Sequence, residues 1–101
     1  MQIVFLDPDY EDFYWGKDWN RKKLPFQENI LRGFQKCIQA LYKAKSKKDL
    51  VATRSLNFEE LQGKRKWEYS LRINRQRRLV FVFLEDWAIQ IVWIKGIEDY
   101  H

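Results

Sequence analysis

Between Phe26 and Tyr42 the apolar residues Phe26, Ile30, Leu31, Phe34, Cys37, Ile38, Leu41 and Tyr42 return at steps of three, four and one, with Arg32, Gln35, Lys36, Gln39 and Lys43 between them. That period predicts a helix with one buried stripe, opened by Pro25. After Gly63 the period drops to two. Trp67, Tyr69, Leu71 and Ile73 alternate with Glu68, Ser70, Arg72 and Asn74, and Leu79, Phe81 and Phe83 alternate with Arg78, Val80 and Val82, which predicts two strands joined by a hairpin over Asn74 to Arg77. Glu85-Asp86 reads as a tight turn into Trp87 to Ile94, a strand apolar on both faces and therefore placed inside the sheet. Upstream, Gln2 to Leu6 reads as a short strand, Asp7-Pro8 as a helix start before Asp9 to Trp15, and Asp18 to Lys23 as a connection. Ser46 is an N-cap for one further turn or two, and Thr53 to Gly63 reads as irregular or only briefly extended. The expected class is α+β, with N-terminal helices packed on an antiparallel β-meander.

Length and composition narrow the chemistry. At 101 residues the chain, 1–101, is expected to form a single domain, and 46% hydrophobic with 17% aromatic residues supplies a core, which excludes disorder as the main state. One Cys permits no internal disulfide, and one His with one Cys leaves no zinc site of the usual ligands. No metal and no cofactor are expected. Ile3 to Leu6 is too short for a signal or a membrane span, so a soluble cytoplasmic protein is expected.

Charge points to a partner. Nineteen Lys and Arg against fourteen Asp and Glu give +5, but residues 1–18 hold five acids and one base, residues 21–48 nine bases and one acid, and residues 64–78 seven bases and one acid. Two basic stretches make nucleic acid the first partner to consider. The second includes Lys64, Arg65, Lys66, Arg75 and Arg77, which are candidate RNA contacts. Its strand period argues against an amphipathic membrane anchor, so no membrane partner is expected. Lys43 to Lys48 reads as a solvated helix end.

Strand parity adds a candidate site. If Leu71, Leu79 and their neighbours face the helices, Arg72 and Arg78 share the opposite face. A guanidinium fork donates two parallel hydrogen bonds to phosphate and stays charged. Taken alone, such a pair is also what a solvated strand face shows. The chain closes on Glu98-Asp99-Tyr100-His101, placing its one His beside a carboxylate and a phenol just past the last expected strand. Histidine both takes and gives protons near neutral pH, as RNA cleavage by the 2′-hydroxyl requires. Cys37 reads as a small core hydrophobe, Trp67 and Trp93 as strand core residues, and Trp15, Trp19 and Trp87 as partly exposed.

Leu61-Gln62-Gly63, then Tyr69-Ser70-Leu71-Arg72-Ile73-Asn74, then Arg78-Leu79-Val80-Phe81, then Asp99-Tyr100-His101 resemble the RelE/HigB-type toxins of bacterial toxin–antitoxin pairs, most closely the HigB, or killer-suppression, branch. The resemblance covers residues 56–101. It implies a RelE-like fold and an endoribonuclease, an mRNA interferase that cuts messenger RNA in the ribosomal A site without metal and is neutralised by a cognate antitoxin. By position, Arg72 and Arg78 are similar to phosphate-binding and transition-state arginines, Asp99, Tyr100 and His101 to the acid–base cluster, and Lys64 to a backbone contact. The chain departs from the branch in one place. No His precedes the Leu-x-Gly motif, where Leu56 is followed by Asn57-Phe58-Glu59-Glu60, and Glu59 or Glu60 is the candidate substitute base, as a carboxylate is in a related branch. A catalytically inactive RNA- or ribosome-binding module of the same fold, and a small structural protein of the ribosome or nucleoid, remain open alternatives.

Overall fold

Asp7 and Pro8 start the first helix as their chemistry dictates: the Asp7 carboxylate accepts the Asp9 N–H at 2.9 Å and Pro8 occupies the first turn. The computed structural model describes residues 1–17, 22–86 and 89–100. Within them the order is β1 (Gln2–Phe5), α1 (Pro8–Tyr14), α2 (Glu28–Lys43), α3 (Lys47–Ala52), a 3-10 turn (Arg54–Leu56), β2 (Glu59–Glu60), β3 (Glu68–Arg72), β4 (Arg77–Asp86) and β5 (Ile89–Asp99). Ser46 holds the cap position before α3, as the sequence predicts, but its side chain makes no capping hydrogen bond among the described residues. Pro25 lies outside the helix it was expected to open, since α2 begins only at Glu28. The expected connection over 18–21 and the residues Trp19, Trp87 and His101 lie outside the described residues.

Helix α2 supplies the centre of the core through Ile30, Leu31, Phe34, Cys37, Ile38 and Leu41, all buried. Tyr42 leaves that stripe and stacks on Tyr14 instead, with ring centroids 6.0 Å apart. At the far end of α2 the Met1 ammonium donates to the carbonyls of Leu41, Tyr42 and Ala44, which places positive charge where the helix exposes its unpaired acceptors. No described helix is long and apolar enough to cross a membrane.

The sheet runs β1-β5-β4-β3-β2. Strands β3 to β5 form the expected antiparallel meander; the two-residue β2, inside the stretch Thr53 to Gly63, extends it at one edge, and β1 adds a parallel pair with β5, so the sheet is mixed. Strand β5 is interior, as its two apolar faces suggest, but it is longer than expected and contains Glu98 and Asp99. Strand β4 likewise runs through Asp86, where a turn was expected. Tyr69, Leu71, Leu79, Phe81, Phe83, Val92, Ile94 and Ile97 face the helices and close the core.

Two tryptophans depart from the sequence reading. Trp67 precedes β3 in a turn with φ 71° and is 63% exposed, while Trp93 alternates with buried Val92 and Ile94 and is 39% exposed on the open face. Neither is core.

One irregularity in β5 sets the direction of the side chains near the C-terminus. Val80 pairs with Gly96 whereas Phe81 pairs with Ile94, so Lys95 is an extra residue that shifts the alternation by one. Ile94 and Ile97, three apart, therefore both point inward, and Glu98 turns to the open face opposite Arg78. Gly96 makes the bulge possible: its φ is 145°, and a Cβ there would lie 2.9 Å from the Tyr10 hydroxyl. That hydroxyl accepts the Ile97 N–H at 3.1 Å, tying α1 to the bulge.

Candidate active site

The β3–β4 hairpin carries the two arginines. Asn74 turns it, its side-chain oxygen accepting the N–H groups of Gln76 at 2.9 Å and Arg77 at 2.8 Å. This fixes the register in which Arg72 and Arg78 are direct cross-strand partners on the face away from the helices. The hairpin is held from below by α2. Gly33 lets the helix approach so closely that an added Cβ would meet the Ile73 methyl at 2.6 Å, and one helical turn on, the Cys37 thiol donates to the Arg72 carbonyl at 3.5 Å. Burial pushes that thiol up to about 12, so it packs and does not act as a nucleophile.

The C-terminal segment comes back over this hairpin. The Tyr100 N–H donates to the Gln76 carbonyl at 2.9 Å. Its ring then lies against both guanidiniums, 5.4 Å from that of Arg72 and 5.9 Å from that of Arg78. Tyr100 follows the phase shift that also delivers Glu98, whose carboxylate stands 4.0 Å from Arg78. Arg78 is largely buried, and its Nε has no hydrogen-bond partner among the described residues. A buried donor without a partner suits an anionic acceptor.

Glu59 enters from the neighbouring strand. It pairs with Ser70, which in turn faces Val80, so it belongs to the same open face as the arginines. The Tyr100 hydroxyl donates to Glu59 Oε1 at 3.3 Å. Asn57 Nδ2 donates both to Glu59 Oε1, at 2.6 Å, and to the Tyr100 hydroxyl oxygen. Phe58, between them in sequence, stacks on Tyr69 with centroids 5.4 Å apart and planes 6° from parallel, which anchors the segment.

Not every expected site residue joins this cluster. Asp99 is paired with Arg77, so the guanidinium expected on RNA and the carboxylate expected in proton transfer hold each other. Arg65, also expected on RNA, donates to Glu98 at 2.9 and 2.8 Å and to Glu68 at 2.7 Å, and Lys95 reaches Glu68 at 3.0 Å. The hydrogen bonds donated to Glu98 and then Glu68 raise the Arg65 guanidinium further above its ordinary value, and the bond received from Arg65 holds the Glu68 carboxyl below its own. Arg65 is therefore a brace behind Glu98. Lys64, Lys66 and Arg75 are exposed, and among the described residues none of them joins such a network. Glu60 pairs in register with Tyr69, on the opposite parity from Glu59. Asn57 had no place in the sequence reading; the signal was an Asn directly after the apolar Leu56, a residue type that tolerates the left-handed backbone it adopts, with φ 45°.

Comparison with known proteins bears on the family and the fold. The family model of RelE-like toxins of the HigB type II toxin–antitoxin system matches residues 4–101. No curated protein matches the chain by sequence. Among solved structures, a YoeB/ParE toxin from Agrobacterium tumefaciens superimposes with a TM-score of 0.58 at 13% identity, covering 100% of both chains. A YoeB–YefM complex from Staphylococcus aureus gives 0.55 at 17% identity, covering 100% of this chain and 97% of that one. A YoeB dimer from the same organism gives 0.53 at 19%, with the same coverage. At these identities the structures speak to the fold.

Proposed function

Because the chain belongs to the HigB-like, RelE-type toxins of type II toxin–antitoxin systems, we propose that it is an endoribonuclease that cuts messenger RNA in the ribosomal A site and is silenced by a cognate antitoxin. The observation that carries this reading is the convergence of Arg72 and Arg78 on the ring of Tyr100, with Glu59 on its hydroxyl.

The chemistry is that of the groups present. Glu59 takes the proton of the ribose 2′-hydroxyl, whose oxygen attacks the adjacent phosphorus. The charge gathering on the phosphoryl oxygens is met by the forks of Arg72 and Arg78. As the bond to the 5′-oxygen breaks, that oxygen receives a proton from the terminal pair, Tyr100 and His101, leaving a 2′,3′-cyclic phosphate and a 5′-hydroxyl. Fixed cations of this kind contribute by being in place before charge develops. Exposed Lys64, Lys66 and Arg75 serve as anchors to RNA phosphates and, in the silenced state, as the face an acidic antitoxin segment covers.

The missing His upstream of Leu61 favours one alternative, a binding module without cleavage. Programmed ribosomes incubated with the purified protein, followed by mapping of RNA ends, separate the two. Cuts in the A site that disappear with His101→Ala, together with growth arrest relieved by the same change or by a stop after Ile97, support the enzyme. Ribosome association with no cuts supports the module, and unaltered toxicity of the truncated chain rejects the role given to the tail.

A further inference from the structure

We infer that Asn57 is a positioning residue whose side-chain amide locks the Glu59 carboxylate to the Tyr100 phenol; the inference rests on the catalytic reading above. The amide has two N–H groups and uses both, one on Glu59 Oε1 at 2.6 Å and one on the Tyr100 oxygen, while the Tyr100 hydroxyl donates to that same Glu59 oxygen at 3.3 Å. The three groups close a triangle. Its directions are fixed by chemistry, because an amide nitrogen only donates and an ionised carboxylate only accepts.

The triangle joins segments that nothing else among these contacts joins. Glu59 is carried by the two-residue edge strand β2, steadied by the Phe58 ring on Tyr69. Tyr100 is carried by the chain beyond β5, steadied by the Gln76 carbonyl. A phenol and a carboxylate meeting at 3.3 Å on an exposed rim would wander past one another, since each loses side-chain freedom for one modest bond. A shared amide donor removes that freedom at both ends.

The backbone at Asn57 says why the residue is informative. With φ 45° and ψ 56° it ends the 3-10 turn, its N–H returning to the Arg54 carbonyl. Glycine would satisfy that backbone at least as well. What asparagine adds is the amide.

Glycine is therefore also the test, since Asn57→Gly keeps the left-handed turn and deletes only the amide. Asn57→Asp keeps shape but replaces the donor by an acceptor beside Glu59. On the intact protein with programmed ribosomes, both variants are expected to slow single-turnover cleavage about 10- to 100-fold while half-saturation by ribosomes changes less than about twofold. In a Glu59→Gln background Asn57→Gly is expected to add less than about threefold, because the partner it positions is gone. Wild-type rates for Asn57→Gly, or full additivity with Glu59→Gln, overturn the inference. If the wild-type protein makes no cut while binding ribosomes, the catalytic reading fails by itself, and the clamp is decided by NMR: Asn57→Gly should move the Tyr100 ring resonances, and unmoved resonances overturn it.

Discussion

Arg72 stands directly across the β3–β4 pair from Arg78. Like charges in direct cross-strand register cost about 0.2–1 kcal/mol relative to neutral pairs, so this register has no stabilising rationale of its own. The Tyr100 ring beside both guanidiniums and Glu98 near one of them moderate the repulsion, with Arg72 exposed and Arg78 largely buried. A dianionic phosphorane between them would remove it entirely. Arg72→Lys and Arg78→Lys keep the charge and lose the bidentate geometry. Each is expected to lower the cleavage rate by about 100- to 1,000-fold, the range seen when one oriented donor to a transition-state oxyanion is lost. Ribosome pelleting should change little. A parallel fall of binding and cleavage would reduce both residues to anchors.

Tyr100 offers a separable test because its ring and hydroxyl have different contacts. Tyr100→Phe keeps the ring against Arg72 and Arg78 but deletes the bonds to Asn57 and Glu59. Ribosome affinity should hold while cleavage drops, with a stability loss of about 0.5–1.5 kcal/mol per bond measured by thermal unfolding. Tyr100→Ala also uncovers the arginines and should weaken both. If Tyr100→Phe cleaves as well as the wild type, proton transfer does not pass through this phenol.

Much of this arrangement is legible in the residues. Side-chain alternation places Arg72 and Arg78 on the open face because Leu71 and Leu79 must be buried, and they are. The bulge is legible in retrospect: Ile94 and Ile97 are three apart where an unbroken strand needs an even spacing, and Gly96 lies between them. Trp67 misleads because periodicity carries no information on backbone handedness, and its φ of 71° takes it out of the strand. Arg65 misleads for another reason. Its partners are three and thirty-three residues away, and only the folded register of β5 brings Glu98 to it. A count of bases along the chain cannot separate a guanidinium already paired from one free for RNA. The contact of Asn57 with Tyr100 is hidden for the same reason, since the two are 43 residues apart.

Gly33 connects stability to the site. An added methyl would meet the Ile73 Cγ2 at 2.6 Å and its carbonyl oxygen at 3.3 Å, and Ile73 directly follows Arg72. The helix must then retreat from the hairpin, at an overpacking cost of about 1–3 kcal/mol. Gly33→Ala is accordingly expected to lower the denaturation midpoint at unchanged m-value. It should also weaken the Cys37 contact to the Arg72 carbonyl and slow cleavage. A variant with normal stability and rate would show that Ile73 has room to rotate away, and that the hairpin is not held by this contact.

Glu68 gives the acid side of the stability profile. The hydrogen bond from Arg65, reinforced by Lys95 against the opposing effect of burial, holds its carboxyl below the ordinary value of 4.5. A depressed folded-state pKa means that the unfolded chain binds a proton more readily, so stability is gained as pH rises through this window and lost as it falls. The contribution is complete above the ordinary value and disappears below the depressed one. Other carboxyls titrate nearby, so the informative quantity is the difference in unfolding free energy between the wild type and Glu68→Gln. That difference should be widest near neutral pH and narrow steadily under acid, with high salt shrinking it further where the network meets solvent. A difference independent of pH would mean that the Arg65–Glu68–Lys95 contacts act by packing and not by charge, and Arg65 would then be free of the electrostatic bracing that keeps Glu98 beside Arg78.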